Sequence, residues 1–490
     1  MLFNSLVFAI FLPIVFLLYW FVFQRNLRLQ NLFVIVASYV FYGWWDWRFL
    51  TLIAFTSFCS WGCGLLMQRA NNQENPPFYL SRKFLSVSNI VLNLGILGVF
   101  KYYGFFVESF ISAFASVGIH LQPSTLYIIL PVGISFYTFQ ALSYSIDIYK
   151  RKIEPTKDII AFFAFIGFFP LLIAGPIERA TTLLPQFFKK RSFSYEKAVD
   201  GMKQILWGLF KKVVIADNCT VFVNQAFDNP NQCGSILLLG VVLFAIQVYC
   251  DFSGYSDIAI GVARLLGFNA MRNFAFPLFS RNIAEYWSRW HISLTSWFRD
   301  YVYFPLGGSR GSKAKTIRNT FIIFLLIGIW HGASWTFVVW GLFNAILFVP
   351  IILWSKKRKE TAVIAEGKIL PSIKETFQML STFFFAVVIG RVFFRADSIG
   401  MAFEYLINMF IWRTPFPFYS LEYLRDIAPL VVMLLFFFSV EWAGRTQEYA
   451  IAEFGKKRHR LFRWTFYAFI IFLIGMYGYA GSQKFIYFQF

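Results

Sequence analysis

His331 is the residue of this sequence best suited to acid–base chemistry within an apolar segment. It lies in Ile329–Trp335, near the end of an apolar run that begins after Arg318 and holds no other ionisable group. An imidazole has an unperturbed pKa of about 6.5, so its neutral form can take a proton from an attacking hydroxyl. The three residues after it are Gly, Ala and Ser, which would let a substrate or a helix approach closely. The alternative is a histidine that only hydrogen-bonds a neighbouring helix.

A second candidate region, residues 249–311, is rich in ionisable and aromatic side chains. Its charged and imidazole groups are Asp251, Asp257, Arg264, Arg272, Arg281, Glu285, Arg289, His291, Arg299 and Asp300. Its aromatic residues include Tyr255, Trp287, Trp290, Trp297, Tyr301 and Tyr303. Charge at bilayer depth usually marks a protein-lined cavity, and the many Gly, Pro and Ser residues favour broken helices. The alternative is an interfacial cytoplasmic loop, where such residues are ordinary.

The composition places these residues in a membrane protein. Of 490 residues, 58% are hydrophobic and 14% are charged, whereas an average soluble domain is about a quarter charged. The apolar residues form runs of roughly 17–25 residues, the length that crosses a bilayer. We predict an all-α polytopic integral membrane protein with about ten to twelve transmembrane helices plus re-entrant and interfacial helices. Residues 1–490 are expected to form a single membrane-embedded domain.

The positive charges predict an orientation. Although the net charge is +20, Lys and Arg cluster in short connectors, which indicates the positive-inside pattern and lipid contact, with no nucleic acid partner. The first stretch is not a signal peptide, because its basic residues follow it. Both termini are expected outside a bacterial plasma (inner) membrane. The first predicted spans are 2–23, 30–45, 49–68, 84–106 and 124–148, with an aromatic corner at Trp44–Trp47.

The middle of the chain departs from simple crossings. Residues 159–177 are apolar, but basic clusters flank both ends and Pro170 and Pro176 interrupt them, which predicts a re-entrant segment. Residues 198–216 carry three lysines among apolar residues, as in an amphipathic interfacial helix. Later spans are expected at 234–250, 317–332, 336–354, 377–395, 427–443 and 464–482, with a return within 253–304. The five cysteines have neither disulfide nor metal-site spacing, and no metal is predicted.

Several motifs resemble the bacterial membrane-bound O-acyltransferase family. They are Glu285–Leu294 (EYWSRWHISL), Phe298–Gly308 (FRDYVYFPLGG), Trp330–Trp335 (WHGASW), Tyr249–Ala259 (YCDFSGYSDIA), Ser38–Leu50 and Pro131–Leu142. The resemblance covers nearly the whole chain and is strongest to the alginate O-acetyltransferase-like branch, whose additional spans correspond to about 377–490. It implies a helical body around a central funnel, with the catalytic motifs at about 249–345.

The resemblance also implies an activity. An acyl group, most directly acetyl, is taken from a cytoplasmic thioester and passed across the membrane to O-acetylate an exopolysaccharide such as alginate. His331 would be the catalytic histidine, and His291 would act in the same channel. The channel-lining residues would be Asp251, Tyr255, Asn282, Trp287, Trp290, Asp300, Trp330 and Ser334. No bound cofactor is expected; the donor would be acetyl-CoA or a carrier-bound thioester. Lys211, Lys212, Arg310 and Lys313 (with Lys315) could hold its phosphates.

Other possibilities stay open at this stage. The C-terminal segment Lys484–Phe490 resembles an aromatic hexapeptide in which a tyrosine, here Tyr487, is proposed as an acyl relay; an interfacial anchor is the alternative. The partner would be a periplasmic esterase-like acetyltransferase. D-alanyl or peptidoglycan acyl transfer by the same fold is a second interpretation. A transporter or exporter without acyl chemistry is a third, because broken helices and buried charge also suit substrate passage.

Overall fold

The computed structural model describes residues 1–71, 77–122, 126, 128–173, 175–354, 363–411, 421–456 and 459–478. Within these ranges the regular elements are helices and there is no strand, which confirms the all-α prediction. Seven helical stretches of the described residues are long and apolar enough to cross a membrane, and Leu6–Val22 and Ile399–Phe410 are shorter apolar helices. The chain is a multi-pass membrane protein.

Residue contacts group the chain into two compact units. The first comprises Met1–Ala198 and Val262–Met271, and the second comprises Val199–Gly261 and Arg272–Phe490. The single domain over 1–490 remains a prediction. Both candidate histidines belong to the second unit.

The first unit contains helices that overlap each of the predicted early spans; in the last of these spans, 124–148, the helix begins at Ile134 and is not among the candidate membrane crossings. Its α-helices within the described residues are α1 (Leu6–Leu17), α2 (Leu27–Asp46), α3 (Leu50–Asn71), α4 (Arg82–Leu97), α5 (Tyr103–Ser116), α6 (Ile134–Tyr149), α7 (Ile159–Ile166) and α8 (Phe169–Leu172). Helix α2 begins where the Asn26 side chain accepts hydrogen bonds from the backbone amides of Arg28 and Leu29, a standard N-cap. The predicted aromatic corner is confirmed, because α2 ends at Asp46 and a 3₁₀ turn, Trp47–Phe49, leads into α3.

The segment predicted to be re-entrant does not form one crossing helix. It folds as α7, capped by Asp158, and the four-residue α8, with a break at Gly167 and Phe168. Its apolar side chains, such as Phe162 and Phe165, are buried within this unit. The predicted interruption is confirmed, because eight helical residues are too few to cross the hydrocarbon core.

The second unit holds the remaining helices. Those of its described residues are α9 (Tyr195–Leu209, in this unit from Val199), α10 (Asp217–Phe227), α11 (Gly234–Leu265, in this unit to Gly261), α12 (Ile283–Arg289), α13 (Ile292–Phe298), α14 (Lys313–His331), α15 (Trp335–Trp354), α16 (Ile373–Ser381), α17 (Ile389–Arg395), α18 (Ile399–Phe410), α19 (Leu421–Ala443) and α20 (Arg460–Tyr477).

The predicted return span within 253–304 is wrong. Residues 253–265 continue α11, which is 32 residues long. After it, α12 and α13 have seven residues each, and α13 continues into a π-helical turn, Arg299–Tyr303. None of these pieces is long enough to cross a bilayer. The broken helices expected here are confirmed from residue 272 onward.

Candidate active site

His331 is the last residue of α14, and glycines set its position against α15. The helix ends there because Gly332 is extended, with φ of −164°. A β-carbon at Gly328 would overlap the Phe337 carbonyl oxygen, and one at Gly341 would overlap that of Phe324. The two helices therefore touch backbone to backbone, the kind of contact that small residues allow in membranes.

Aromatic rings enclose His331. Its imidazole centroid lies 4.9 Å from that of Trp330, 4.9 Å from that of Trp340 and 5.3 Å from that of Phe394. His331 is 2% exposed, and Trp340 and Phe394 are buried with it. The ring therefore lies in the protein core of this unit, away from lipid-facing side chains. In such surroundings a charge that develops during a reaction interacts strongly with nearby dipoles and ions.

His291 adopts a backbone conformation that needs support. Its φ is +42° in the left-handed region, which non-glycine residues seldom adopt. Asn273 provides the support: its carbonyl oxygen accepts the Ile292 N–H at 2.9 Å, and its Oδ1 accepts the Ser293 hydroxyl at 2.6 Å. His291 is fully buried and lies outside the candidate spans. Burial lowers the pKa of His291 to about 3, so its imidazole is neutral at physiological pH.

Trp330 connects the two histidines. Its ring centroid lies 5.5 Å from that of His291 and 4.9 Å from that of His331. Phe252 of α11 packs edge-on against His291, with 4.7 Å between the ring centroids. The structure thus brings together the two histidines and the tryptophan that sequence reasoning placed in two separate motifs.

Two further predicted tryptophans belong to the same aromatic cluster. Trp287 donates its indole N–H to Asn344 Oδ1 at 3.2 Å, and its ring lies 5.8 Å from that of Trp340. Trp290 stacks on Tyr286 at 5.5 Å. Both are buried. Trp290 precedes His291 in the chain, and Trp287 contacts Trp340, which contacts His331; that they line a substrate channel remains a prediction.

Three other predicted residues have local structural contacts. Asn282 caps α12, where its Oδ1 accepts the Glu285 N–H at 2.9 Å. Ser334 accepts the Thr336 N–H at 3.3 Å at the start of α15. Asp300 pairs with Arg299 at 3.0 Å, and both are partly exposed. A lining role for these three remains a prediction.

Lys211 and Lys212 are buried in ion pairs, contrary to the interfacial helix predicted for 198–216. The Lys211 Nζ lies 2.5 Å from Asp257 and 2.9 Å from the Ser253 hydroxyl. The Lys212 Nζ lies 2.7 Å from both Asp217 and Asp251. The lysines are 3% and 2% exposed. The interfacial placement is wrong because the polar face of this segment packs against carboxylates of α10 and α11.

This geometry also changes how several other predicted residues are interpreted. With both ammonium groups enclosed by carboxylates, neither lysine presents a free cation to a donor phosphate. Asp251 and Tyr255, expected to line the channel, belong to this cluster instead; the Lys212 Nζ lies 5.8 Å from the Tyr255 ring centroid. Arg310 and Lys313 are exposed near the start of α14, so they stay candidates for donor binding. Tyr487 lies outside the described residues.

Sequence reasoning missed Arg391. This residue lies on α17, is 3% exposed, and has its guanidinium carbon 4.7 Å from the Trp290 ring centroid and 5.1 Å from that of Phe394. Its Nη2 donates to the Tyr286 hydroxyl at 3.3 Å. The available signal was one charge in the apolar run 383–394, because a lone ionisable residue within a span usually has a function.

Metal ligands do not cluster in the part of the chain that the structure describes. There, no three His, Cys, Asp or Glu side chains come together as a group that could hold a metal ion. The cysteines in this part of the chain are free thiols.

Fold and site together define a polytopic helical membrane protein with two buried histidines around one indole. Residues 40–389 match the family model described as MBOAT, membrane-bound O-acyltransferase family. The chain belongs to this family and is an O-acyltransferase, which confirms the resemblance predicted from the motifs. Membership of an enzyme family favours acyl transfer over the transporter interpretation.

Named relatives refine the comparison. The chain is 38% identical to the probable alginate O-acetylase AlgI of Pseudomonas aeruginosa over 416 residues, which cover 84% of this chain and 76% of the relative. It is 33% identical to the peptidoglycan O-acetyltransferase of Helicobacter pylori over 84% of this chain and 80% of the relative. A teichoic acid D-alanyltransferase of Bacillus subtilis is 30% identical over 49% of this chain and 64% of that protein. The alginate O-acetyltransferase-like branch is thereby confirmed.

Proposed function

We propose that this protein transfers acetyl groups from a cytoplasmic thioester, across a bacterial inner membrane, to hydroxyl groups of an extracytoplasmic polysaccharide such as alginate. Two observations support it: the similarity to alginate and peptidoglycan O-acetyltransferases over 84% of the chain, and the buried His331. Acetyl is favoured over D-alanyl because the D-alanyltransferase similarity covers only 49%. In this proposal both termini lie on the outer side.

His331 acts as the general base in this mechanism. Its neutral imidazole takes the proton of the attacking hydroxyl while that oxygen bonds to the thioester carbonyl carbon. The carbonyl electron pair moves onto its oxygen, giving a tetrahedral oxyanion. When the carbonyl re-forms, the carbon–sulfur bond breaks and the thiolate leaves with the proton from the His331 imidazolium. The products are the acetyl ester and the free thiol.

The remaining predicted residues have supporting roles. The neutral His291 positions the acyl group next to His331. The exposed Arg310 and Lys313 attract the phosphates of acetyl-CoA or of a carrier-bound thioester at the cytoplasmic face. The attacking hydroxyl belongs to Tyr487, acting as an acyl relay, or to a serine of a periplasmic esterase-like partner that completes transfer to the polysaccharide.

The burial of His331 against Trp330 and Trp340 is the observation that carries this proposal, and replacing this side chain tests it. We expect His331→Ala to lower acetyl transfer by about two to four orders of magnitude, the usual contribution of a general base. The assay follows radiolabelled acetyl from a thioester to polymer in membrane vesicles.

His120→Ala is the matched control. His120 is exposed in the first unit, so its loss should leave transfer unchanged. Comparable membrane levels of both variants exclude a defect of insertion. If His331→Ala transferred acetyl at a rate near that of the wild type, the catalytic assignment would have to be abandoned.

A further inference from the structure

Arg391 is a buried cation that lacks a carboxylate partner among the described residues. Its guanidinium contacts the rings of Trp290 and Phe394 and donates a hydrogen bond to the Tyr286 hydroxyl. Its Nε–H is buried without a hydrogen-bond acceptor in the described chain. A guanidinium keeps its charge and has five N–H donors. Aromatic faces offset part of the desolvation cost, but they leave most donors unused.

The guanidinium and the candidate catalytic base contact the same phenyl ring. Phe394 contacts both groups: the Arg391 Cζ lies 5.1 Å from its centroid and the His331 ring lies 5.3 Å from it. The Arg391 guanidinium also lies against the ring of Trp290, the residue before His291. Gly390, the preceding residue, faces the indole nitrogen of Trp340, which also contacts His331. The cation is therefore part of the aromatic cluster that holds both histidines.

We propose that Arg391 binds the carbonyl oxygen of the transferred acyl group and stabilises its negative charge in the tetrahedral intermediate. This inference rests on the proposed function and deepens it. Attack by the hydroxyl oxygen moves the carbonyl electron pair onto oxygen; that oxyanion accepts N–H donors of Arg391 until the carbon–sulfur bond breaks and the charge leaves on the thiolate. A fixed cation in a desolvated site favours this charge more than it favours the neutral thioester.

His291 is less suited than Arg391 to stabilising the negative charge of the oxyanion. Its imidazole is neutral, since burial lowers the pKa of His291 to about 3. A neutral imidazole can donate one hydrogen bond, whereas the guanidinium supplies a full positive charge. Of the two candidates, Arg391 is the stronger stabiliser of an anion.

The test compares Arg391→Gln and Arg391→Lys with Arg395→Gln in the purified full-length protein. Arg395 is the matched control: it lies one turn further along α17, is less buried, and has its guanidinium carbon 5.6 Å from the Phe227 ring centroid. Two quantities are measured for each variant. They are kcat and KM with an acetyl thioester, and Kd for a methyl ketone analogue in which a methylene replaces the sulfur.

We expect Arg391→Gln to lower kcat by about 10²–10³-fold, the usual effect of removing one oxyanion donor. The Kd for the ketone should stay within about threefold, because a neutral carbonyl gains little from the cation. Arg391→Lys should fall between Gln and the wild type, and Arg395→Gln should match the wild type.

Three outcomes overturn the inference: an unchanged kcat in Arg391→Gln, a rise in KM alone, or loss of ketone binding together with kcat, which would indicate a structural role. If the Gln variant does not fold, the Lys variant decides: lowered kcat with intact ketone binding supports the proposal, and any other result overturns it. Inactive His331→Ala beside fully active Arg391→Gln would reject this inference alone, while active His331→Ala would reject the proposed function.

Discussion

Among the described residues of the second unit, the buried cations are Lys211, Lys212 and Arg391, and they differ in how their charge is balanced. Lys211 and Lys212 meet three carboxylates, Asp217, Asp251 and Asp257, at 2.5–2.7 Å. Arg391 meets two aromatic rings and a tyrosine hydroxyl. A buried cation that its own chain neutralises has no charge left for a ligand. The lysine cluster therefore offers no free charge to a ligand, whereas Arg391 retains the donors on which the proposed stabilisation of an oxyanion depends.

Helix α19 adds a buried acidic residue to the surroundings of the two lysines. Its Glu441 is buried and accepts the indole N–H of Trp207 at 2.9 Å and the hydroxyl of Tyr249 at 2.7 Å. Gln204 of α9 donates to Asp257 at 2.9 Å. Around the lysines, hydrogen bonds thus link polar groups of α9, α11 and α19. Such networks rigidify a core when each member has its partners.

The largest expected effect comes from breaking the neutralised cluster. Lys212→Met leaves Asp217 and Asp251 without their shared cation, and removing one partner of a buried pair costs about 3–5 kcal/mol. We expect a loss of that size in the free energy of unfolding, measured in mixed detergent micelles. The exposed Lys189→Met should change it by less than about 0.5 kcal/mol. Equal stability of the two variants would show that the lysine cluster does not stabilise the fold.

The second prediction separates the two histidines. His291→Gln should lower kcat by about 10- to 100-fold through misplacement of the acyl group, which is less than the effect of His331→Ala. Because burial lowers the pKa of His291 to about 3, it does not titrate between about pH 5 and 8. The acidic limb of the pH–rate profile should therefore stay in place in His291→Gln. A shift of that limb would assign the titrating group to His291.

The smallest effect is expected at the exposed cations near α14. Replacing Arg310 and Lys313 together by Ala should raise KM for the thioester a few-fold and leave kcat unchanged, because exposed ion pairs contribute only about 0.2–1 kcal/mol each. This rise in KM should vanish at about 1 M salt, where the Debye length is about 3 Å. Lys190→Ala, also exposed, is the control. An increase in KM that persisted at high salt would contradict an electrostatic role.

The sequence predicted the features that depend on local pattern. Apolar runs and the aromatic corner at Trp44–Trp47 give α2 and α3, and the proline-interrupted segment gives α7 and α8. The motifs around His291 and His331 marked the site. Apolar length alone could not show that α11 continues to Leu265, because its polar residues from Asp251 onward are those of a loop as much as those of a buried helix.

The features that the sequence did not predict depend on contacts between residues that are far apart in the chain. A lysine on an amphipathic segment has the same local pattern whether it faces water or a carboxylate 46 residues away, as Lys211 faces Asp257. Arg391 went unnoticed because its neighbours in the chain are apolar, while Trp290 and Phe394 reach it through the fold. Span-wide averages conceal a single charge, and only its surroundings show whether it is neutralised.

The side-chain-free contact between Gly328 and Gly341 has a consequence for how the bilayer acts on the enzyme. With backbone against backbone, no rotamer can absorb a change in spacing, so we expect α14 and α15 to respond to bilayer thickness as one rod. A thinner or thicker membrane tilts that rod. We therefore expect the depth of the imidazole at its end to vary with lipid chain length, while its distance from the Trp340 ring, 4.9 Å between centroids, is preserved.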